Sequence, residues 1–299
     1  GQTMPRCTFQ TSQKIWRIGG IEKNLRLRIL TCVVGIPVVV GGIFLFQDYN
    51  FIFFSILAIA FAFLGSMEMS RMLFKGKTIP LAVVAPALPL LQYLQGVQQW
   101  PEELMDLMFM ILLLTAFSVE IFSGAKDNFK ESLSRAAKSC LLVIYPSYFI
   151  TFIIRMLALD GITAYSIVTF MVLVFSNDIF AYVFGRLFGK NNKGILKASP
   201  KKSIAGFVGG FLCCIGMSMA LFALFGNNLP SLGIAMQIVL GAAMSISANI
   251  GDLIESVFKR SAGVKDSGNI IPGRGGVLDS MDSLISAAPI FFILLSIGL

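Results

Sequence analysis

Apolar residues along this chain come in long unbroken runs, not in alternation. FIFFSILAIAFAFLGS at 51–66 and LMFMILLLTAF at 107–117 are typical, each lying close to a short polar link. A helix needs about 20 mainly apolar residues to cross the hydrocarbon of a bilayer, and backbone exposed to lipid has to satisfy its own hydrogen bonds. Runs of this kind predict spanning helices, placed at 29–46, 51–67, 79–97, 104–123, 137–159, 163–184, 205–225, 231–252 and 283–299. No segment shows the roughly ten-residue alternation of an outer-membrane barrel. The predicted fold class is an all-α integral membrane protein with about nine transmembrane helices.

Composition agrees with that pattern. Of 299 residues 56% are hydrophobic and 13% charged, and the mean hydropathy is +0.80, which excludes an ordinary soluble domain, where about a quarter of residues carry charge. The charge is unevenly placed. Arg6, Lys14, Arg17, Lys23, Arg26 and Arg28 precede the first run; Arg71, Lys75 and Lys77 follow the second; Lys126, Lys130, Arg135 and Lys138 follow the fourth. Basic loops at 185–204 and 253–282 come later, while the links beginning at 47, 98, 160 and 226 hold no Lys or Arg. Because cytoplasmic links retain basic residues, the alternation predicts a cytoplasmic amino terminus and a carboxyl terminus outside. The net charge of +8 is then mostly topology, with no nucleic-acid partner implied. Residues 1–28, basic and without a signal-type apolar core, are expected as a cytoplasmic or interfacial segment. Residues 29–160 are expected as amino-terminal membrane helices, and 161–299 as a catalytic membrane domain carrying the two basic loops. The expected location is multi-pass in a bacterial inner (plasma) membrane, with the active site facing the cytoplasm. The five cysteines show no metal-binding spacing.

Exceptions to the apolar rule carry the candidate chemistry. Asp178 sits inside the sixth run, in VFSNDIFAYVFG, and an intramembrane acid is costly unless it faces a partner or a wet cavity. Asp252 and Glu255 are spaced i, i+3 on one helix face, with Ser256 and Lys259 beside them, and Asp279 and Asp282 repeat the spacing where the last run begins. Capping of a helix amino terminus needs a single acid, so two stacked acids together with Asp252 and Asp178 call for more. Four carboxylates in a chain with no histidine suggest a hard cation such as Mg2+ and make zinc a poor fit. Arg186, Lys201, Lys202, Lys259, Arg260, Lys265 and Arg274 read as phosphate neutralisers, and the glycines of GRGG at 273–276 allow backbone N–H groups near phosphate oxygens. Together these features indicate a nucleotide or phospholipid site.

The stretch SVFKRSAGVKDSGNIIPGRGGVLDSMDS at 256–283 resembles the signature of the phosphatidate cytidylyltransferases, also called CDP-diacylglycerol synthases. A second block, NDIFAYVFGRLFGK followed by SPKKS and GFVGG at 177–210, is similar to the other cytoplasmic region of that family, and GDLIES at 251–256 lies between them. Three positions depart from the family pattern: Arg274 stands in place of His, Ser280 in place of Arg, and Ile204-Ala205 in place of Trp-Glu. One reading has Arg274 supplying the positive charge missing at Ser280.

The resemblance implies transfer of a cytidylyl group from CTP to phosphatidate, giving CDP-diacylglycerol and pyrophosphate. It implies catalytic parts for Asp178, Asp252, Lys259, Arg260, Lys265, Asp266, Asp279 and Asp282. Substrate-binding parts are implied for Asn177, Arg186, Ser199, Lys201, Lys202, Ser203, Ser256, Gly273, Arg274, Gly275 and Gly276. The expected cofactor is Mg2+, as a two-metal site on Asp252, Asp279, Asp178 and Asp282, with a monovalent cation as a further candidate. CTP, phosphatidate and membrane lipids are the expected partners, and a homodimer is kept as one assembly. The alternatives are a CTP-dependent polyprenol or phytol kinase, a membrane transporter using Asp178, and an inactive relative that only binds.

Overall fold

The computed structural model describes residues 33–194, 196–229, 233–271 and 275–298. The proposed amino-terminal segment 1–28, the start of the first predicted span, Gly273 and Arg274 lie outside the described residues. Helix α1, Val33–Leu45, is the part of the first span that is described. Next come α2 (Ile52–Leu73), α3 (Leu81–Val84), α4 (Ala87–Gln98) and α5 (Glu103–Ser123). The chain continues through α6 (Ser132–Val143), α7 (Phe149–Leu157), α8 (Ala164–Leu187), α9 (Ile204–Phe225), α10 (Ile234–Ser261) and α11 (Leu278–Gly298). Two predicted spans are each built from a pair of these pieces. Pro86 stands at the amino-terminal cap of α4 where α3 gives way to it, and Pro146 falls in a π-helical turn, Ile144–Tyr148, joining α6 to α7. Proline has no N–H to donate to the preceding turn, which accounts for both interruptions.

Among the described residues, eight helical stretches are long and apolar enough to cross a membrane. The molecule is an all-α multi-pass membrane protein. Helix α5 shows what the outside of the bundle is made of: Leu107, Met110, Leu114, Phe117 and Phe122 are all exposed on it. An apolar surface of that extent belongs in lipid, not water.

Helices α8, α9, α10 and α11 pack in sequence, each against the next, and α11 turns back to meet α7, α2 and α8. Phe170 of α8 and Phe291 of α11 lie with ring centroids 5.1 Å apart at the centre of this group. Close approach of α9 and α10 depends on Gly241. A Cβ there would lie 2.6 Å from Ile215 Cα and 3.0 Å from Cys214 O, both backbone atoms that cannot move aside without moving the helix. Gly241→Ala is expected to cost roughly 1–3 kcal/mol, as overpacking does. The check is a lower midpoint of thermal unfolding in detergent; an unchanged midpoint would refute the packing argument.

The helix ends differ from expectation in a way that moves the site. The basic loop predicted over 253–282 is helical at both ends: α10 continues to Ser261 and α11 begins at Leu278, leaving 262–277 as the connection. The first residues of the 185–204 loop likewise belong to α8. Charge in a sequence ends the hydrocarbon span but not the helix. Glu255 and Ser256 are buried at the carboxyl end of α10, with Ile254 and Phe258 packed against the core, so packing holds the helix past the apolar run.

Candidate active site

Asp279, in the first turn of α11, organises the connection between α10 and α11. Its Oδ1 accepts from Lys259 Nζ at 2.7 Å, and its Oδ2 accepts from Ser267 N and Gly276 N, each at 2.8 Å. Lys259 is also ion-paired with Glu255, fully buried one turn earlier on α10. A carboxylate that accepts two backbone N–H bonds and an ammonium fixes the loop on both sides of itself. The tip is pinned by reciprocal backbone bonds, Ile271 N to Gly275 O at 2.8 Å and Gly275 N to Ile271 O at 3.1 Å. Gly275 has φ +118, a conformation open to glycine and rarely to other residues.

A second ion pair ties the other loop to α10. Lys202 Nζ lies 2.7 Å from Asp252 Oδ2 and also stands over the Phe207 ring, 5.4 Å from its centroid. Ser256 Oγ donates to Asp252 Oδ1 at 3.4 Å. Ser203 caps α9, its Oγ accepting from Gly206 N at 3.1 Å, which aims the Lys201-Lys202 pair at the end of the bundle.

Three cavities meet around these residues. The largest, about 670 Å3, is lined by Asp178, Arg186, Lys201, Lys202, Asn249 and Asp252 among others. A smaller one of about 250 Å3 is lined by Asp178, Asp279, Ser280, Asp282 and Ser283 with three apolar neighbours. Asp178 belongs to both. The third, about 610 Å3 and almost wholly apolar, is a groove along Phe207, Phe211, Ile246 and Ile250 that shares Lys202, Ser203 and Asn249 with the first. A polar network backs the junction: Asn177 Oδ1 accepts from Ser245 Oγ at 2.6 Å and from Asn249 Nδ2 at 3.3 Å.

The four aspartates singled out in the sequence thus line two cavities that share Asp178, but they are not equivalent. Asp252 is paired with Lys202 and Asp279 with Lys259. Among the described residues Asp178 and Asp282 have no ion-pair partner, and both face the smaller cavity. Two uncompensated carboxylates on one cavity, oxygen donors only, suit a hard divalent cation that keeps waters and takes its remaining ligands from a substrate phosphate. Among the described residues no three Asp, Glu or Cys side chains form a ready-made metal cage.

Other expected site residues stand apart. Arg260 points along the end of α10, where its Nη1 donates to Val264 O at 3.5 Å, and Lys265 and Asp266 are exposed on the connection. Ser199 serves the turn before α9, its carbonyl accepting from Lys202 N at 3.1 Å. None of these four lines the cavities described above. Asn249 and Glu68 were not singled out from the sequence. Asn249 lies in a predicted span with nothing but its polarity to mark it, and the second predicted span stopped at 67, which put Glu68 in a link. Helix α2 carries Glu68 inward instead, where it is 2% exposed.

Comparison with known proteins follows the same lines. The chain is similar to the phosphatidate cytidylyltransferase of Staphylococcus saprophyticus, 30% identical over 278 residues that cover 91% of this chain and 99% of the relative. The enzyme of that name from Pseudomonas aeruginosa is 33% identical over 279 residues, covering 91% of this chain and 97% of its own. The one from Aquifex aeolicus is 35% identical over 161 residues, 54% of this chain and 58% of its own. A sequence model of the family matches residues 26–298, nearly the whole chain, and together these findings show that the chain belongs to the cytidylyltransferase family.

Proposed function

We propose that the protein transfers a cytidylyl group from CTP to phosphatidate at the cytoplasmic face of a bacterial plasma membrane, releasing pyrophosphate. The carrying observation is the meeting of two unlike spaces: a basic polar cavity of about 670 Å3 and an apolar groove of about 610 Å3, with Lys202, Ser203 and Asn249 common to both. A lipid phosphate can enter such a junction with its acyl chains in the groove while a nucleotide enters from water. The cytoplasmic orientation rests on the alternation of basic and non-basic links along the sequence, which assigns the links holding Arg186, Lys201 and Lys202 to the cytoplasmic side.

In the reaction a phosphate oxygen of phosphatidate forms a bond to the α-phosphorus of CTP, and the bond between that phosphorus and the bridging oxygen breaks. The electron pair leaves with pyrophosphate. A phosphate monoester with a second pKa of about 6 is already largely ionised near neutral pH, so no side chain needs to remove a proton. Positioning and charge stabilisation are what remains for the protein. Arg186, Lys201 and Lys202 offer positive charge along the nucleotide cavity, and Lys259 is paired with Asp279, which lines the smaller one. Asp178 and Asp282 would hold Mg2+, with Asp252 as the next donor. A bound Mg2+ supplies charge neutralisation at the phosphate oxygens.

The test is positional labelling. Purified protein in mixed micelles with phosphatidate, Mg2+ and CTP labelled at the α-phosphate is expected to send label into the organic phase. CTP labelled at the γ-phosphate is expected to send all of it into aqueous pyrophosphate. Lipid-soluble label from the γ-position alone would overturn the proposal in favour of an alcohol kinase. Absence of lipid label from either position would exclude both.

A further inference from the structure

Glu68 comes from the amino-terminal half of the chain, yet its carboxylate is buried in the connection between α10 and α11. Its Oε1 accepts from Val277 N at 3.0 Å, and its Oε2 accepts from Leu278 N at 2.9 Å and from Ser267 Oγ at 3.1 Å. Val277 and Leu278 open α11, so two N–H groups that a helix start leaves unpaired are satisfied by an acid from another helix. No Lys or Arg among the described residues pairs with Glu68. Among the described residues its carboxylate is met by N–H and O–H groups only.

The same hydroxyl that donates to Glu68 also accepts from Asp279 N at 3.2 Å, and Ser267 N donates to Asp279 Oδ2 at 2.8 Å. Ser267 is therefore clasped between the two acids. One acid holds the loop against α2 and the other holds Lys259. The glycines of the signature leave room for the clasp, since a Cβ on Gly268 or on Gly276 would fall against the Glu68 carboxylate. Nothing in the reaction needs Glu68 to touch a substrate, and it is absent from the linings of the three cavities.

We propose that Glu68 is a positioning residue for cytidylyl transfer: by capping α11 and clasping Ser267, it sets where Asp279 holds the Lys259 ammonium. This rests on the function proposed above, but the placement itself can be tested without it. A glutamine fills the same volume and offers one acceptor oxygen where Glu68 uses two. Whichever way its amide is turned, an NH2 group faces a backbone N–H of Val277 or Leu278.

Glu68→Gln, Ser267→Ala and the double variant would be compared with the parent protein in detergent by steady-state kinetics and by amide hydrogen exchange. The expected result for Glu68→Gln is a kcat lowered roughly tenfold, in the range seen when groups that orient a site are removed, with the KM for CTP within about twofold. Exchange is expected to rise in the segment 264–281 and to stay unchanged along α8 and α9. The double variant is expected to be no slower than Glu68→Gln, because both changes open one clasp. A parental kcat in Glu68→Gln, or exchange raised throughout α8 to α10, would overturn the proposal, the latter by showing a general role in stability. Should the parent protein yield no labelled lipid, the function proposed above fails. The exchange pattern then decides the clasp, a rise confined to 264–281 supporting it and no rise overturning it.

Discussion

Asp279→Asn is expected to lower the rate of CDP-diacylglycerol formation by about a thousandfold. Three donors converge on this carboxylate, Lys259 on one oxygen and the Ser267 and Gly276 backbone on the other. Asparagine has a single acceptor oxygen, so in either orientation its NH2 group is pressed against a donor. The pair being broken is largely shielded from solvent, Asp279 at 8% side-chain exposure and Lys259 at 14%. Removing one member of a buried pair costs about 3–5 kcal/mol, and each 1.4 kcal/mol misapplied to the transition state is about tenfold in rate. Part of that cost is borne by Glu255, which stays paired with Lys259 and keeps the lysine charged in place. The variant should accordingly remain folded and elute as the parent does on size exclusion. Retention of more than about a tenth of the parental rate would show that the Lys259–Asp279 pair is not what aligns the site.

Removal of divalent cations is expected to take the reaction to background, and Mg2+ to restore it. The physical reason is the pair of uncompensated acids, Asp178 and Asp282, on the cavity of about 250 Å3. Without a cation the two like charges oppose each other; with one they become its ligands. Stability should therefore respond with opposite signs to one substitution. In chelator, Asp178→Asn is expected to raise the unfolding midpoint by relieving repulsion, and in millimolar Mg2+ to lower it relative to the parent by losing a ligand. The half-saturating Mg2+ concentration for activity should rise by about tenfold or more in the same variant. Full activity after exhaustive chelation would sink the assignment, as would an Asp178→Asn protein with parental Mg2+ dependence and an unchanged midpoint in both conditions.

Much of the fold was legible because the membrane simplifies the reading. A run such as 107–117 has one stable outcome in lipid, a helix, and α5 is there. Boundaries were less legible. The apolar pattern reports where hydrocarbon ends, whereas α10 runs on to Ser261 because Glu255, Ser256 and Phe258 pack against neighbouring helices. The four aspartates singled out in the sequence come together around two adjoining cavities, but their pairing was not legible. Lys259 stood out as a phosphate neutraliser and Asp279 as an ion ligand, while the folded chain pairs them with each other. Arg260, Lys265 and Asp266 were expected beside them on the strength of the motif; all three are exposed, Arg260 at the end of α10 and the other two on the connection, and none lines the described cavities.

Taken alone, the order of amino acids determined the spanning helices, the basic end of the bundle, and the signature that places the chain in its family. These are properties of consecutive residues, set by transfer of side chains and backbone into lipid and by short-range spacing along a helix. Which acid pairs with which cation, which two have no ion-pair partner among the described residues, and the capping of α11 by Glu68 were decided only by the tertiary structure. Those contacts join positions as much as 210 residues apart. Apart from Glu255 and Lys259, which are i, i+4 on α10, the partners share no helix face and no period, and they meet only because packing of α2, α9, α10 and α11 brings their ends to one place.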